Sequence, residues 1–500
     1  MNASLMSVEI AVVLLGLGIL LADLWVPAGS KARLGYVAAA GLAVILLGSF
    51  FFDVAEARTA FGGLYVLDGL ALFFKRFFLL AGIIVLIMAV EFADRIQTGI
   101  GEYYALTLFA LTGMLLAASA NDFMMLFVSL ELITVTFYIL TSFQRARLTS
   151  LEAGIKYLII GALSSAFTVY GIALIFGSAN ATSFEKVFAA NAGFTGNPFF
   201  LLGLLLVLVG LGFKIAFVPF QIWAPDVYQG SPTPTTAFLA VGSKAAGFAL
   251  LLRVLFNAVP QVTFEWTKLL MILCGATILY GNLCAIPQRN LKRLMGYSSM
   301  AHAGYLLLGV TAMSLAGSSA VLYYLSGYLF TVLAAFTVIC VVMREVEGED
   351  ISALAGLHQR SPILAASLAL AMISLAGIPP LAGFFGKFLL LKSLLERGAL
   401  QPAYYCLVAV ALFGIVVSFY YYLGIVRAVY WSEGGSSLAG LKLSGATRWV
   451  LYGCIAGMFY VGVYPNALVR ASRTAASGLH FPPAAQAQST ASVQPPPAAR

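Results

Sequence analysis

The sequence predicts an all-α polytopic membrane protein with about 14 transmembrane helices. Three observations predict it. Of the 500 residues, 61% are hydrophobic and 10% charged, against roughly 45–50% apolar and 25% charged in an ordinary soluble domain. Apolar stretches of about 20 residues, each enough to cross a hydrocarbon core about 30 Å thick, recur from end to end. The connections between them are mostly too short to fold independently, so the chain reads as one hydrophobic body.

The stretches centre at about residues 16, 43, 83, 111, 132, 166, 208, 246, 277, 305, 331, 375, 414 and 456. No Lys or Arg precedes the first, and it carries Glu9 and Asp23, unlike the cationic start of a cleaved secretory signal. It is expected to remain as a helix. The net charge of +8 is spread over loops, which argues for membrane topology and against nucleic acid. When loops are assigned alternately, one side collects the excess of Lys and Arg, including Lys31, Arg33, Arg145, Arg147, Arg289, Lys292, Arg293, Arg344 and Arg360. That bias places both termini outside the cytoplasm.

Cys274, Cys284, Cys340, Cys406 and Cys454 lie in apolar segments without CxxC spacing and read as small packing residues. With His302, His358 and His480 scattered, no metal or haem site is expected. "GLG" at residues 210–212 lacks the third glycine and the βαβ context of a nucleotide fingerprint. From Ser477 the chain turns to Ala, Pro, Gln and Ser, a composition expected to be disordered.

Two stretches are interrupted. The seventh breaks at Val218-Pro219 and again near Ala224-Pro225, and the twelfth at "LAGIPPLAGFFGK", where Gly377, Pro379 and Pro380 remove helical geometry and donors together. Backbone opened at bilayer depth must face protein or a water-filled cavity, and paired broken helices point to a transporter with internal repeats. Lys214 precedes its break while Lys387 follows its own, so direct superposition of the two segments fails.

A charge at the centre of a membrane helix costs about 2.5–3.5 kcal/mol, which makes buried ionisable groups functional candidates. Glu131, Lys214 and Lys244 are flanked by apolar residues and are too far from helix ends to snorkel. Lys387 joins them beside its break. Lys156 follows Glu152 by four residues and reads equally as half of a structural ion pair. Lys292, in "QRNLKRLMGY", is a proton carrier or a positive-inside anchor. Lys75 and Arg76 read as helix-end charges or a subunit contact, and His302 as a hydrogen-bonded packing residue or a titratable neighbour.

Desolvation lowers the pKa of a buried lysine and a nearby carboxylate raises it, so moving one partner can make the other release its proton. One pKa unit is about 1.4 kcal/mol and a charge crossing 100 mV about 2.3 kcal/mol. A swing of roughly three units would drive a proton against a typical membrane potential.

"GLGFKIAFVPFQIWAPDVYQGSPTPTTAFLAVGSKAAG", "SLELITVTFYIL", "SLEAGIKYLIIGALSSAF", "NLKRLMGYSSMAHAGYLLLG" and "LAGIPPLAGFFGKF" closely resemble the antiporter-like membrane subunits of respiratory complex I. The resemblance covers almost the whole chain up to the tail. It implies helices 1–3 in 1–100 and two inverted five-helix repeats, helices 4–8 in 101–258 and 9–13 in 266–431. Helix 14 would occupy 445–466 and a polar tail 477–500, with helices 7 and 12 discontinuous.

The resemblance implies a subunit of a proton-translocating NADH:quinone oxidoreductase in a bacterial inner membrane. The chain itself would hold no redox centre, since NADH, FMN, iron–sulfur clusters and quinone would be bound by other subunits. Its partners would be neighbouring membrane subunits, lipid and protons. Carried over residue by residue, Glu131 and Lys214 would form the charge pair of helices 5 and 7, and Lys244 would be the central lysine of helix 8. Lys387 would lie toward the exit, Lys156 would be the further lysine of helix 6 and Lys292 the basic residue that begins helix 10. Glu152, His302, Pro219 and Pro379 would support them.

A lysine at the helix 12 position resembles one branch of the family, where others carry glutamate. One position departs: bacterial members often place a histidine seven residues after the helix 7 lysine, and this chain has Gln221, which can organise water but cannot titrate. The competing expectations are a subunit of a multi-subunit cation/proton antiporter and a passive membrane scaffold.

Overall fold

Long apolar runs satisfy their backbone internally as helices, and a computed structural model of the protein arranges them as a bundle. It describes residues 3–52, 56–190, 196–345, 348–399, 401–432, 440–441 and 443–481. The first three crossings are α1 (Ser7–Trp25), α2 (Leu34–Gly48) and α3 (Gly69–Glu91), with strands β1 (Arg58–Ala60) and β2 (Tyr65–Leu67) before α3. Next come α4 (Ile100–Ala118), α5 (Phe123–Thr141), α6 (Leu148–Ala179) and the short α7 (Phe184–Ala190). The broken seventh crossing is α8 (Pro198–Ile215) with α9 (Ala224–Gly230), and the eighth is α10 (Thr233–Phe238) with α11 (Lys244–Arg253).

After α12 (Pro260–Glu265) come α13 (Thr267–Ala285), α14 (Leu291–Thr311) and α15 (Leu315–Glu345). The single turn α16 (Leu357–Arg360) leads to the broken twelfth crossing, α17 (Pro362–Ala376) with α18 (Ala382–Gly398). The chain continues through α19 (Ala403–Trp431), α20 (Gly445–Val463) and α21 (Pro465–Ala476).

Among the described residues, 12 helices are long and apolar enough to cross a membrane, against the 14 expected. The other two expected crossings are α14, which opens on Lys292 and Arg293, and the α17–α18 pair, whose break divides it into helices of 15 and 17 residues. Polar content and the break cause the difference. The protein is all-α apart from one small hairpin among the described residues, in which β1 and β2 pair antiparallel, with Thr59 opposite Val66.

The crossing from Thr233 to Ala258 is buried along its whole length and α15 nearly so, whereas α1, α2, α6 and α20 expose apolar faces. The crossing that carries Lys244 thus runs through the middle of the protein. Helix 14, expected over 445–466, ends at Val463, because Pro465 starts a separate helix. Part of the expected polar tail is packed: Leu479 is buried, the His480 ring lies 5.1 Å from that of Phe188, and Phe481 lies 5.0 Å from Phe256. The apolar surface of these three residues outweighs the polar composition of the tail around them. Residues 482–500 lie outside the described residues.

Candidate functional site

Both breaks close a half-helix with a left-handed residue. Ala216 (φ 62°) ends α8 and Gly377 (φ 92°) ends α17, the geometry that turns a chain out of a helix. Pro219 and Pro379 lie just beyond these caps, where they prevent continuation. The last carbonyls of each half-helix are thereby left without amide partners.

Lys387 uses these carbonyls. Its ammonium donates to Leu375 O at 2.7 Å and Ala376 O at 3.0 Å, at the negative end of α17. A Cβ on Gly377 would lie 3.0 Å from Lys387 Cδ, so glycine supplies both the positive φ and the room. The Tyr305 ring lies 5.0 Å away.

Lys214 sits in the last turn of α8 and is almost fully buried. It donates to Thr134 Oγ1 at 2.9 Å and Tyr157 OH at 3.3 Å. Glu131, half-buried on α5, accepts from Ser165. The expected Glu131–Lys214 pair is not closed by a direct salt bridge. Instead both residues line one cavity with Thr134, Ser165 and Thr168, whose space open to a water-sized sphere is about 10 Å³, near the least volume that holds a water.

Lys244 follows a π-helical turn, Leu239–Ser243, a distortion frequent at functional positions. Its ammonium bonds both the carbonyl and the hydroxyl of Ser299 on α14. Ser299 Oγ also meets Tyr228 OH at 2.9 Å and Tyr328 OH at 3.2 Å. One turn along α14, His302 bonds Tyr324 OH at 2.5 Å and Tyr422 OH at 2.9 Å, and its ring lies 5.2 Å from that of Tyr328. His302 thus lies one turn beyond the serine that holds Lys244. Gly247, one turn after Lys244, faces the Lys214 stem, which a Cβ there would meet at 3.6 Å.

The remaining predicted residues fall elsewhere. The Lys156 side chain is 40% exposed and held by Glu152 at 2.5 Å and Asp226 at 2.6 Å, where Asp226 also binds Arg293. The structure therefore places Lys156 in a partly exposed ion-pair network that includes the Glu152 partner expected from its spacing. Lys292, in the first turn of α14, is 1% exposed and binds Glu349 at 3.0 Å and Ser231 O at 2.9 Å. Glu349 also binds Arg147 and lines a cavity of about 230 Å³ with Arg95, Gln144 and Thr233. Gln221 is buried at the first break, and its side-chain oxygen has no hydrogen-bond partner.

Sequence reasoning passed over Ser299, Tyr228, Tyr328, Asp226 and Glu349. Hydroxyls carry no charge signal in an apolar run, and the two acids gain meaning only from the cations that the fold brings to them. Asp226, close after the broken helix, was the one legible candidate.

Buried lysines on distorted helices, linked by hydroxyls, define an antiporter-like membrane subunit. The family described as "NADH:quinone oxidoreductase/Mrp antiporter, TM" matches residues 120–448. NADH-quinone oxidoreductase subunit N of Moorella thermoacetica is 40% identical over 481 residues, covering 96% of this chain and 100% of the relative. A chain of respiratory complex I from Thermus thermophilus with bound aureothin is 32% identical with a TM-score of 0.77, covering 93% of this chain and 99% of its own. The chain belongs to the family of NADH-quinone oxidoreductase subunit N. A chain of the Mrp complex from Dietzia sp. DQ12-45-1b, 20% identical with a TM-score of 0.81 over 97% of this chain and all of its own, shares the fold.

Proposed function

We propose that this chain is the membrane subunit of a proton-translocating NADH:quinone oxidoreductase that moves protons through Glu131, Lys214, Lys244 and Lys387. One observation carries the reading: three almost fully buried lysines lie at helix distortions, each bonded to neutral oxygens and none to a carboxylate. A cation held by neutral dipoles keeps its proton without being locked to a counter-charge, so a small field change can release it. A purely structural lysine in an apolar body would be paired.

Protons enter from the cytoplasmic side near Lys244 and pass along the α14 hydroxyls and His302. They leave toward Lys387 when water in the Glu131–Lys214 cavity lets that pair rearrange. Lys156 and Lys292 tune the route through Asp226 and Glu349. The chain holds no redox centre; NADH, FMN, iron–sulfur clusters and quinone belong to other subunits, and the energy arrives through the neighbouring membrane subunits. It works in a bacterial inner membrane with both termini outside the cytoplasm.

The test uses the whole complex in proteoliposomes. Lys214→Ala and Lys244→Ala are expected to assemble and to lose most of the acidification per quinone reduced. Unchanged acidification would make the chain a scaffold. Purification of the native complex without flavin or iron–sulfur subunits would instead make it part of a cation/proton antiporter.

A further inference from the structure

A fully buried ion pair among the N-terminal helices lies outside the route through Lys214, Lys244 and Lys387. Lys75, in the second turn of α3, has no exposed surface, and Glu9, in the first turn of α1, has 2%. Their charged atoms are 2.9 Å apart. Lys75 also donates to Tyr65 OH at 2.5 Å, and that hydroxyl lies 3.0 Å from both Glu9 Oε1 and Leu5 O. Strand β2 exists at this point to aim Tyr65, with Val66 N bonded to Ser119 O at the end of α4.

Three features separate this cluster from a plain structural bridge. Desolvating two charges offsets their attraction, and an apolar replacement of similar volume is often as stable, so packing of α1 on α3 does not require them. The second Glu9 oxygen is buried without a hydrogen-bond partner, leaving the carboxylate an open position for a proton. Residues Ala3 and Ser4, less than two turns before Glu9, are exposed, so the cluster lies near the outside of the bundle.

The N-terminus of α3 also meets the end of the helix that Lys244 begins. Asp68, the N-cap of α3, grips Arg253 at 2.8 and 3.1 Å, and Arg253 Nε donates to Ala118 O at 2.8 Å. Arg253 ends the helix that Lys244 begins. Nine residues of α-helix separate them, about 14 Å at 1.5 Å per residue.

We propose that Glu9, Tyr65 and Lys75 form a second proton-exchange site, delivering protons to the membrane face that carries the chain termini. The inference rests on the proposed conduction through Lys214, Lys244 and Lys387. In the charged state Lys75 is an ammonium and Glu9 a carboxylate. One proton moves from Lys75 Nζ to Glu9, directly or by way of the Tyr65 hydroxyl, which accepts one proton as it donates another. The product is a neutral amine and a neutral carboxylic acid. The acid releases its proton to the surface, and the amine is recharged from the side of Arg253 and Lys244.

The test compares proteoliposomes of the complete complex carrying wild type, Glu9→Gln/Lys75→Met, Lys75→Arg and Lys244→Ala, reading acidification per quinone reduced together with assembly on native gels. The double variant removes both charges at once and leaves neither unpaired. It is expected to assemble and to lose part of the acidification, less than Lys244→Ala loses. Lys75→Arg, which keeps the charge but gives up no proton, is expected to show the same loss.

Normal acidification in the double variant, or recovery in Lys75→Arg, overturns the site. Failure of the double variant to assemble also overturns it, by making the pair a structural cross-link. If Lys244→Ala itself acidifies normally, the conduction reading fails; if it is defective and the double variant is not, only the Glu9–Tyr65–Lys75 site fails.

Discussion

The ammonium of Lys387 and the carboxylate of Glu349 show how one residue's meaning depends on what reaches it. Lys387 is held by the carbonyls that the α17 break exposes, and Gly377 makes the space. Gly377→Ala is expected to cost about 1–2 kcal/mol for the left-handed φ and to push Lys387 off those carbonyls. A lowered thermal midpoint of the purified complex together with reduced acidification would register both. Burial alone would raise the Glu349 carboxyl, but Lys292 and Arg147 hold it below the usual carboxylate range. Its stabilising contribution is therefore complete above the unfolded value of about 4.3 and is lost as pH falls through the lower folded value. Glu349→Gln leaves Lys292 buried without its counter-charge and should cost about 3–5 kcal/mol. Adding Lys292→Met should restore most of the thermal midpoint, and a double variant as unstable as the single would refute the account.

Among the elements, the two broken crossings carry most of the functional argument. Lys214 precedes its break and Lys387 follows its own, which along the chain obscures any correspondence. In space both belong to the C-terminal end of a half-helix, Lys214 by position and Lys387 by folding back onto α17. The two caps differ in cost, because Ala216 adopts a left-handed conformation that glycine tolerates more easily. Ala216→Gly is expected to raise stability by up to about 1 kcal/mol, and a lower thermal midpoint would count against it. Gln221 at the first break offers an oxygen that no protein group binds. Gln221→Leu should therefore assemble normally while slowing acidification, and unaltered acidification would remove Gln221 from the water path.

At the scale of the whole molecule, the bundle buries the Lys244 crossing and the side chains of Lys214 and Lys387 and turns the apolar faces of α1, α2, α6 and α20 outward. With both termini outside the cytoplasm, as proposed, an epitope after residue 481 should be reached by antibody in cells whose outer membrane alone is opened. Labelling only after lysis of the inner membrane would reverse the topology. The class of the protein was legible in the chain, because spanning segments must be long and apolar and because breaks and charges inside them are too costly to pass unnoticed. Sequence alone therefore determined the helical membrane body, the two breaks and the cations at Lys214, Lys244 and Lys387. Only the tertiary structure decided the partners. It set Lys156 beside Asp226 and Lys292 against Glu349, left Glu131 and Lys214 separated by a water-sized cavity, and turned Lys75 from a helix-end charge into half of a buried pair with Glu9. A charge in an apolar run can be read locally, whereas its counter-charge or hydroxyl comes from helices far away in sequence, and only packing brings these within hydrogen-bond reach.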